Sequence, residues 1–192
     1  VGKPYLNLLR ILEERDYFVL TTNVDHQFQL AGFDKARLFY TQGDYGLFQC
    51  ARNCSGETYD NERQVREMAS RQKDQRVSSE LVPRCPRCGA PLVPNLRVDS
   101  SFCEDRGWHE AASRYRAFCE AHSGGHVLYL ELGVGGNTPV IIKYPFWNAV
   151  GRNGHATYVC LNMGGACAPA AIAGRSILVD GDIDDFLQNA LV

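Results

Sequence analysis

A chain of 192 residues with 45% hydrophobic composition carries enough apolar surface for one medium-sized domain with room for a small insertion. A formal charge of −2 excludes the basic excess of a protein that wraps nucleic acid. The longest apolar stretch, "HVLYLELGVGGNTPVIIKYPFW", is broken by Glu131, Gly133, Gly135, Gly136 and Lys143, so no membrane span is expected.

The opening residues lack the basic, apolar, small-residue order of a secretory signal, and no Met stands first. The expectation is a soluble protein of the cytoplasm, or of an organelle matrix in a eukaryote. Residues 3–15 place Leu6, Leu9 and Leu12 at threefold spacing and predict an amphipathic helix. "YFVLTTN" (17–23) and "ARLFYTQG" (36–43) are compact strand candidates that close on polar residues. From Phe48 to about Glu104 the character changes to cysteines, a charged middle ("NERQVREMASRQKDQR") and a Pro-rich return ("LVPRCPRCGAPLVPNL").

Helical spacing resumes over 105–122, followed by strand candidates at 126–133, 157–162 and 176–181. A closing helix, "DIDDFLQNALV", holds acidic residues in its first turn, where the helix dipole favours them. Helices alternating with short apolar strands predict an α/β fold, a Rossmann-like parallel sheet with helices on both faces. The expected organisation is a discontinuous Rossmann-like domain, 1–47 and 105–192, interrupted by a cysteine-bearing module at 48–104. Ligands of such sheets lie beyond the carboxyl ends of the strands. The residues there are Thr22, Asn23 and Asp25; Gln42 and Gly43; Gly133, Gly135 and Asn137; Asn162; and Gly181 with Asp182. Each alone is also ordinary turn chemistry; five strand ends bearing such residues point to a ligand. Glu131 places a charge inside an apolar strand, which calls for a partner or a site role.

Eight cysteines include two close pairs, Cys50-x3-Cys54 and Cys85-x2-Cys88. Two pairs can converge tetrahedrally on Zn²⁺, and Gly89 suits the tight turn after the second pair. An iron–sulfur site or unrelated buried thiols would use the same residues. With no His nearby to leave an open coordination position, the expected role is structural zinc. Cys103, Cys119, Cys160 and Cys167 are scattered and read as buried or free thiols.

Taken together, these motifs resemble the sirtuin family. "TTNVDHQFQLAG" (21–32) is similar to the sirtuin Thr-Gln-Asn-Ile-Asp motif, and Gln42-Gly43 stands where that family carries a catalytic His-Gly. The cysteine pairs match its zinc module in order. "LELGVG" (130–135), "VCLN" (159–162) and "VDGD" (179–182) resemble its cofactor-facing strand ends. The family's Gly-Ala-Gly-x-Ser turn and the strand before it are absent, so the chain reads as the C-terminal two-thirds of a longer protein.

The replacement of His by Gln42, with "NLRVDSSFCED" (95–105) after the zinc module, resembles the macrodomain-linked, class M branch. That resemblance implies ADP-ribosyl transfer from NAD to a lipoylated glycine-cleavage-H-like carrier, with a macrodomain ADP-ribosyl hydrolase as reversing partner. It implies catalytic roles for Asn23, Gln42 and Asp25. Cofactor contacts are implied at Thr22, Gly133, Gly135, Asn137, Asn162, Gly181 and Asp182, and Arg97 is implied to steer the acceptor or to form a surface ion pair.

The chemistry agrees with the glutamine. Deacylation needs a general base near neutrality, which Gln42 cannot be. A carboxylate acceptor is already anionic and needs positioning instead. His26 and His109 are the nearest candidates for a replacement base, with the His26 side chain expected to alternate away from its functional neighbours. An NAD-dependent lysine deacylase and a non-catalytic zinc-organised binding module are the alternative readings.

Overall fold

The structure, a computed structural model, describes residues 1–136 and 139–190. In chain order its elements are α1 (Lys3–Leu12), β1 (Val19–Thr21), α2 (Gln27–Ala31), β2 (Leu38–Tyr40), β3 (Gly43–Cys50), β4 (Thr58–Asp60) and α3 (Glu62–Arg71). There follow β5 (Leu92–Leu96), α4 (Arg106–Ala121), β6 (Leu128–Leu132), α5 (Lys143–Arg152), β7 (Thr157–Leu161), β8 (Ser176–Val179) and α6 (Ile183–Asn189). The chain divides into two compact units. The first comprises Val1–Leu20, Gln27–Arg37 and Arg114–Val192; the second comprises Thr21–His26 and Leu38–Ser113.

The first unit is organised by a parallel sheet in the order β6-β7-β8, with Leu130 beside Val159 and Val159 beside Ile177. Strand β7 is central, and its Tyr158, Val159, Cys160 and Leu161 are buried, as a strand covered on both faces requires. Helix α5 packs on β6 and β7, and a short 3₁₀ segment, Ala170–Arg175, packs on β7 and β8. Val150, Ala156, Tyr158, Cys160 and Ile172 form the core between them. Helix α1 packs on α6 and α2. Its buried residue is Leu8 rather than Leu6, which is 42% exposed, and the helix ends at Leu12, short of the expected residue 15.

Helix α5 was not evident in the sequence, because Pro145 and Gly151 both weaken helix propensity. Pro145 falls in the first turn, where no intrahelical N–H is lost, and the apolar face of α5 supplies the rest. The expected parallel sheet flanked by helices is present. Among the described residues no helix is long and apolar enough to cross a membrane.

The second unit has its own antiparallel sheet, β4-β3-β5, with Phe48 opposite Tyr59 on one side and Pro94 on the other. The sequence had not predicted β3, since Gly43, Asp44 and Gly46 are poor strand formers. Tertiary partners decide the matter. Gln49 is 2% exposed, accepts from Asn95 Nδ2 (2.8 Å) and the Cys103 N–H (2.9 Å), and donates to the Ser101 carbonyl (2.9 Å). Asp105 caps α4 by accepting from the Trp108 N–H at 2.8 Å and also accepts from the Thr58 hydroxyl.

Candidate functional site

In the second unit, the turn after β1 is fastened to the segment that leads into β3. The Thr21 carbonyl accepts from the Thr41 N–H (3.0 Å) and hydroxyl (3.2 Å), and its own hydroxyl accepts from the Asn23 N–H (3.0 Å). The Val24 carbonyl accepts from the Tyr45 N–H at 2.8 Å. Thr22, Asn23 and Asp25 therefore sit on a turn held against the segment carrying Gln42. Asn23 and Asp25 are exposed; Thr22 and Gln42 are half-buried.

The backbone on both sides of Gln42 is fixed. Its carbonyl accepts from the Arg97 N–H at 2.9 Å. The next residue, Gly43, has φ 99°, and a Cβ there would lie 1.9 Å from the Asn95 carbonyl oxygen, so only glycine fits. The Arg97 guanidinium stacks on Phe102 (4.2 Å to the ring centroid) and lies 5.7 Å from the centre of the Trp108 ring. It also pairs with the half-exposed carboxylate of Glu104. His26 does not simply alternate outward: its Nδ1 lies 2.7 and 2.8 Å from the two carboxylate oxygens of Asp44.

The four cysteines of the two pairs converge, with all sulfurs within 4.8 Å of one another. Cys50 Sγ lies 3.5 Å from Cys88 Sγ, and Cys54 Sγ lies 3.6 Å from Cys85 Sγ. A tetrahedral zinc with Zn–S near 2.3 Å requires sulfur separations of about 3.8 Å, so the donor set fits that ion. Gly89 takes φ 71°, and the Cys85 carbonyl accepts from its N–H at 2.9 Å, which closes the knuckle. Backbone N–H groups of Cys54 and Arg52 draw the Cys50 thiol down to about 6, and those of Cys88 and Arg87 lower Cys85. The neighbouring Cys88 thiol, with burial, pushes Cys54 up to about 12. Thiolate is the ligating form, so binding of a cation by this set would release the remaining thiol protons.

In the first unit, Gly133, Gly135 and Asn162 lie at the carboxyl ends of β6 and β7. Gly133 takes φ 65°, and its N–H donates to the Leu161 carbonyl at 2.9 Å. Asn162 Nδ2 donates to the Val134 carbonyl at 2.9 Å, tying the two strand ends together. They border a cleft of about 470 Å³, lined also by Gly136, Lys143 and Trp147. Gly181 follows β8. Asp182 caps α6, accepting from the Asp184 N–H (2.8 Å) and the Asp185 N–H (3.2 Å). Asn137 lies outside the described residues.

Beneath this cleft the expected partner of Glu131 is found. Its side chain is fully buried and receives Lys143 Nζ, the Tyr158 hydroxyl at 2.6 Å and Cys160 Sγ at 3.4 Å. Burial, together with the hydrogen bond to Glu131, holds the Tyr158 phenol far above its usual range, so it remains a donor.

No protein-family model matches the chain. Over all 192 residues it is 38% identical to a Staphylococcus aureus (strain Mu50) protein named "Protein ADP-ribosyltransferase". Over 183 residues it is 28% identical to a Fusarium oxysporum f. sp. cubense protein named "Probable bifunctional ADP-ribose hydrolase/ADP-ribosyltransferase". The chain is similar to protein ADP-ribosyltransferases. It spans 61% of the length of the first relative and 30% of the second. The side chains that sequence reasoning did not reach are Asp44, Gln49 and Lys143. Of these, Lys143 alone had a signal, the lone cation after the lone anion in an otherwise apolar stretch.

Proposed function

We propose that this chain is the larger part of a class M sirtuin-type protein ADP-ribosyltransferase, a Rossmann-like domain (1–47 and 105–192) with a zinc-fastened insertion (48–104). The observation that carries the reading is Gln42. It is a residue without acid–base chemistry, locked by the Arg97 N–H and by Gly43 on the segment that holds the Asn23–Asp25 turn. The end-to-end similarity to a protein named as an ADP-ribosyltransferase supports the same reading.

In this reading NAD is the donor substrate. A carboxylate of the acceptor attacks C1′ of the nicotinamide ribose, the C1′–N bond breaks, and nicotinamide leaves with its electron pair. No proton has to be removed from the acceptor, so the side chains position rather than titrate. Gln42 and Asn23 engage ribose hydroxyls, and Asp25 orders the turn and the nicotinamide side. Arg97 receives the acceptor carboxylate in place of Glu104. Thr22, Gly133, Gly135, Asn137, Asn162, Gly181 and Asp182 contact the dinucleotide. Zinc at Cys50, Cys54, Cys85 and Cys88 fastens the insertion and takes no part in the transfer. The acceptor is a lipoylated glycine-cleavage-H-like carrier and the reversing partner a macrodomain hydrolase. The Fusarium relative, whose name joins a hydrolase to a transferase, supports that pairing.

The test incubates the full-length protein with NAD and lipoylated carrier, with an acetyl-lysine peptide in parallel, and reads both by intact mass. An ADP-ribose-sized gain on the carrier that requires lipoylation, and that is lost in Asn23→Ala with fold and metal content retained, is the expected result. Deacetylation of the peptide without gain on the carrier would refute it.

A further inference from the structure

His26 ends the turn that bears Asn23 and Asp25, and its backbone lies in the left-handed region at φ 59°, which disfavours L side chains. Its Nδ1 meets both oxygens of Asp44 at 2.7 and 2.8 Å. The Asp44 side chain is 3% exposed against 37% for His26, and its Oδ1 also accepts from the Gly46 N–H at 2.7 Å. Gly46 leaves room for the ring: a Cβ there would lie 2.8 Å from His26 Nδ1 and 2.9 Å from Cε1. An unfavourable backbone angle, a buried carboxylate and a missing side chain thus converge on one contact.

We propose that the His26–Asp44 pair is a positioning clamp that locks the 21–26 turn to the start of β3 and so fixes Asn23 relative to Gln42. Two backbone rungs already join these segments, Thr41 to Thr21 and Tyr45 to Val24. The His26–Asp44 contact adds a side-chain rung at the far end of the turn. His26 is three residues from Asn23, and Asp44 is two from Gln42, so a loosened rung moves both. A buried carboxylate demands a donor. Nδ1–H supplies one whether or not the ring is charged, which makes His26 a positioning residue rather than a group acting on substrate. Its catalytic consequence rests on the transferase reading above; the clamp itself does not.

The experiment uses three variants of the full-length protein. His26→Gly relieves the backbone but removes the donor. His26→Asn keeps both left-handed tolerance and a side-chain N–H. Gly46→Ala drives the ring off Asp44 from the opposite segment. Amide hydrogen exchange at Thr41 and Tyr45 reads the clamp without any activity, and kcat and KM for NAD-dependent transfer read its consequence. His26→Gly and Gly46→Ala should each speed exchange at these amides about tenfold and lower kcat about tenfold, with KM for NAD changed less than about threefold. His26→Asn should stay near wild type in both readouts, with the same pH profile. Unchanged exchange in His26→Gly would overturn the clamp, whatever the activity. Protected amides in His26→Asn with a collapsed kcat and an altered pH profile would overturn it in favour of an imidazole that handles protons. If the wild-type protein transfers nothing, the transferase reading fails and the exchange data still decide the clamp.

Discussion

Replacing Lys143 by Met would leave Glu131 as a buried carboxylate without its counter-ion. The pair is enclosed, with side-chain exposures of 8% for Lys143 and 0% for Glu131. The remaining donors are one phenol, at 2.6 Å, and one thiol, at 3.4 Å, both neutral. Breaking a buried pair by removing one partner costs about 3–5 kcal/mol, most of it the unpaired charge. For a chain of this size that corresponds to roughly 6–20 °C in the thermal midpoint. The double variant Glu131→Gln/Lys143→Met removes the charge as well. Its amide oxygen still accepts from Tyr158, so it should recover to within about 1–2 kcal/mol of wild type. Urea unfolding followed by circular dichroism on wild type, both single variants and the double variant gives the coupling energy. A loss below about 1 kcal/mol in Lys143→Met, or a double variant no better than that single one, would refute the argument that desolvated charge dominates.

Gln49→Leu removes the acceptor of the Asn95 amide and the Cys103 N–H inside the second unit, and should cost about 2–4 kcal/mol in the same unfolding experiment. Cys85→Ser should reduce bound zinc to well below one equivalent by elemental analysis; full zinc content would remove the four-sulfur assignment. Burial pushes the Cys103 thiol up to about 11. An unfolded thiol titrates near 8.5. Its contribution to stability is therefore complete below about pH 8.5 and is lost as pH rises through 11, a slope that Cys103→Ala should flatten in thermal melts. Iodoacetamide should label exposed Cys167 in the native protein and spare Cys103 and Cys160 until denaturant is added.

Local pattern located the strands that became β6, β7 and β8 as short apolar runs, although only β7 is covered on both faces, and Leu128 of β6 and Ile177 and Leu178 of β8 are exposed. The cysteine spacing likewise announced a four-sulfur cluster, and Glu131 announced a buried partner. The same local reading passed over β3, where Gly43, Asp44 and Gly46 look like a turn. Each is explained by a residue distant in sequence: Gly43 by the Asn95 carbonyl, Asp44 by the His26 ring, Gly46 by the space that ring occupies. It also passed over α5, whose Pro145 is harmless only at the position in the helix that the fold assigns it.

What the sequence determined by itself was therefore chemical inventory and periodicity: the thiols, the Gln42 and Asn23 amides, and the alternation of helix and strand. Those depend on neighbours within a few residues along the chain. The tertiary structure alone decided which buried polar groups are satisfied and by whom: Glu131 by Lys143, Gln49 by Asn95 and Cys103, Asp44 by His26. A buried donor or acceptor must find a partner wherever the folded backbone brings one, and linear spacing does not encode that encounter.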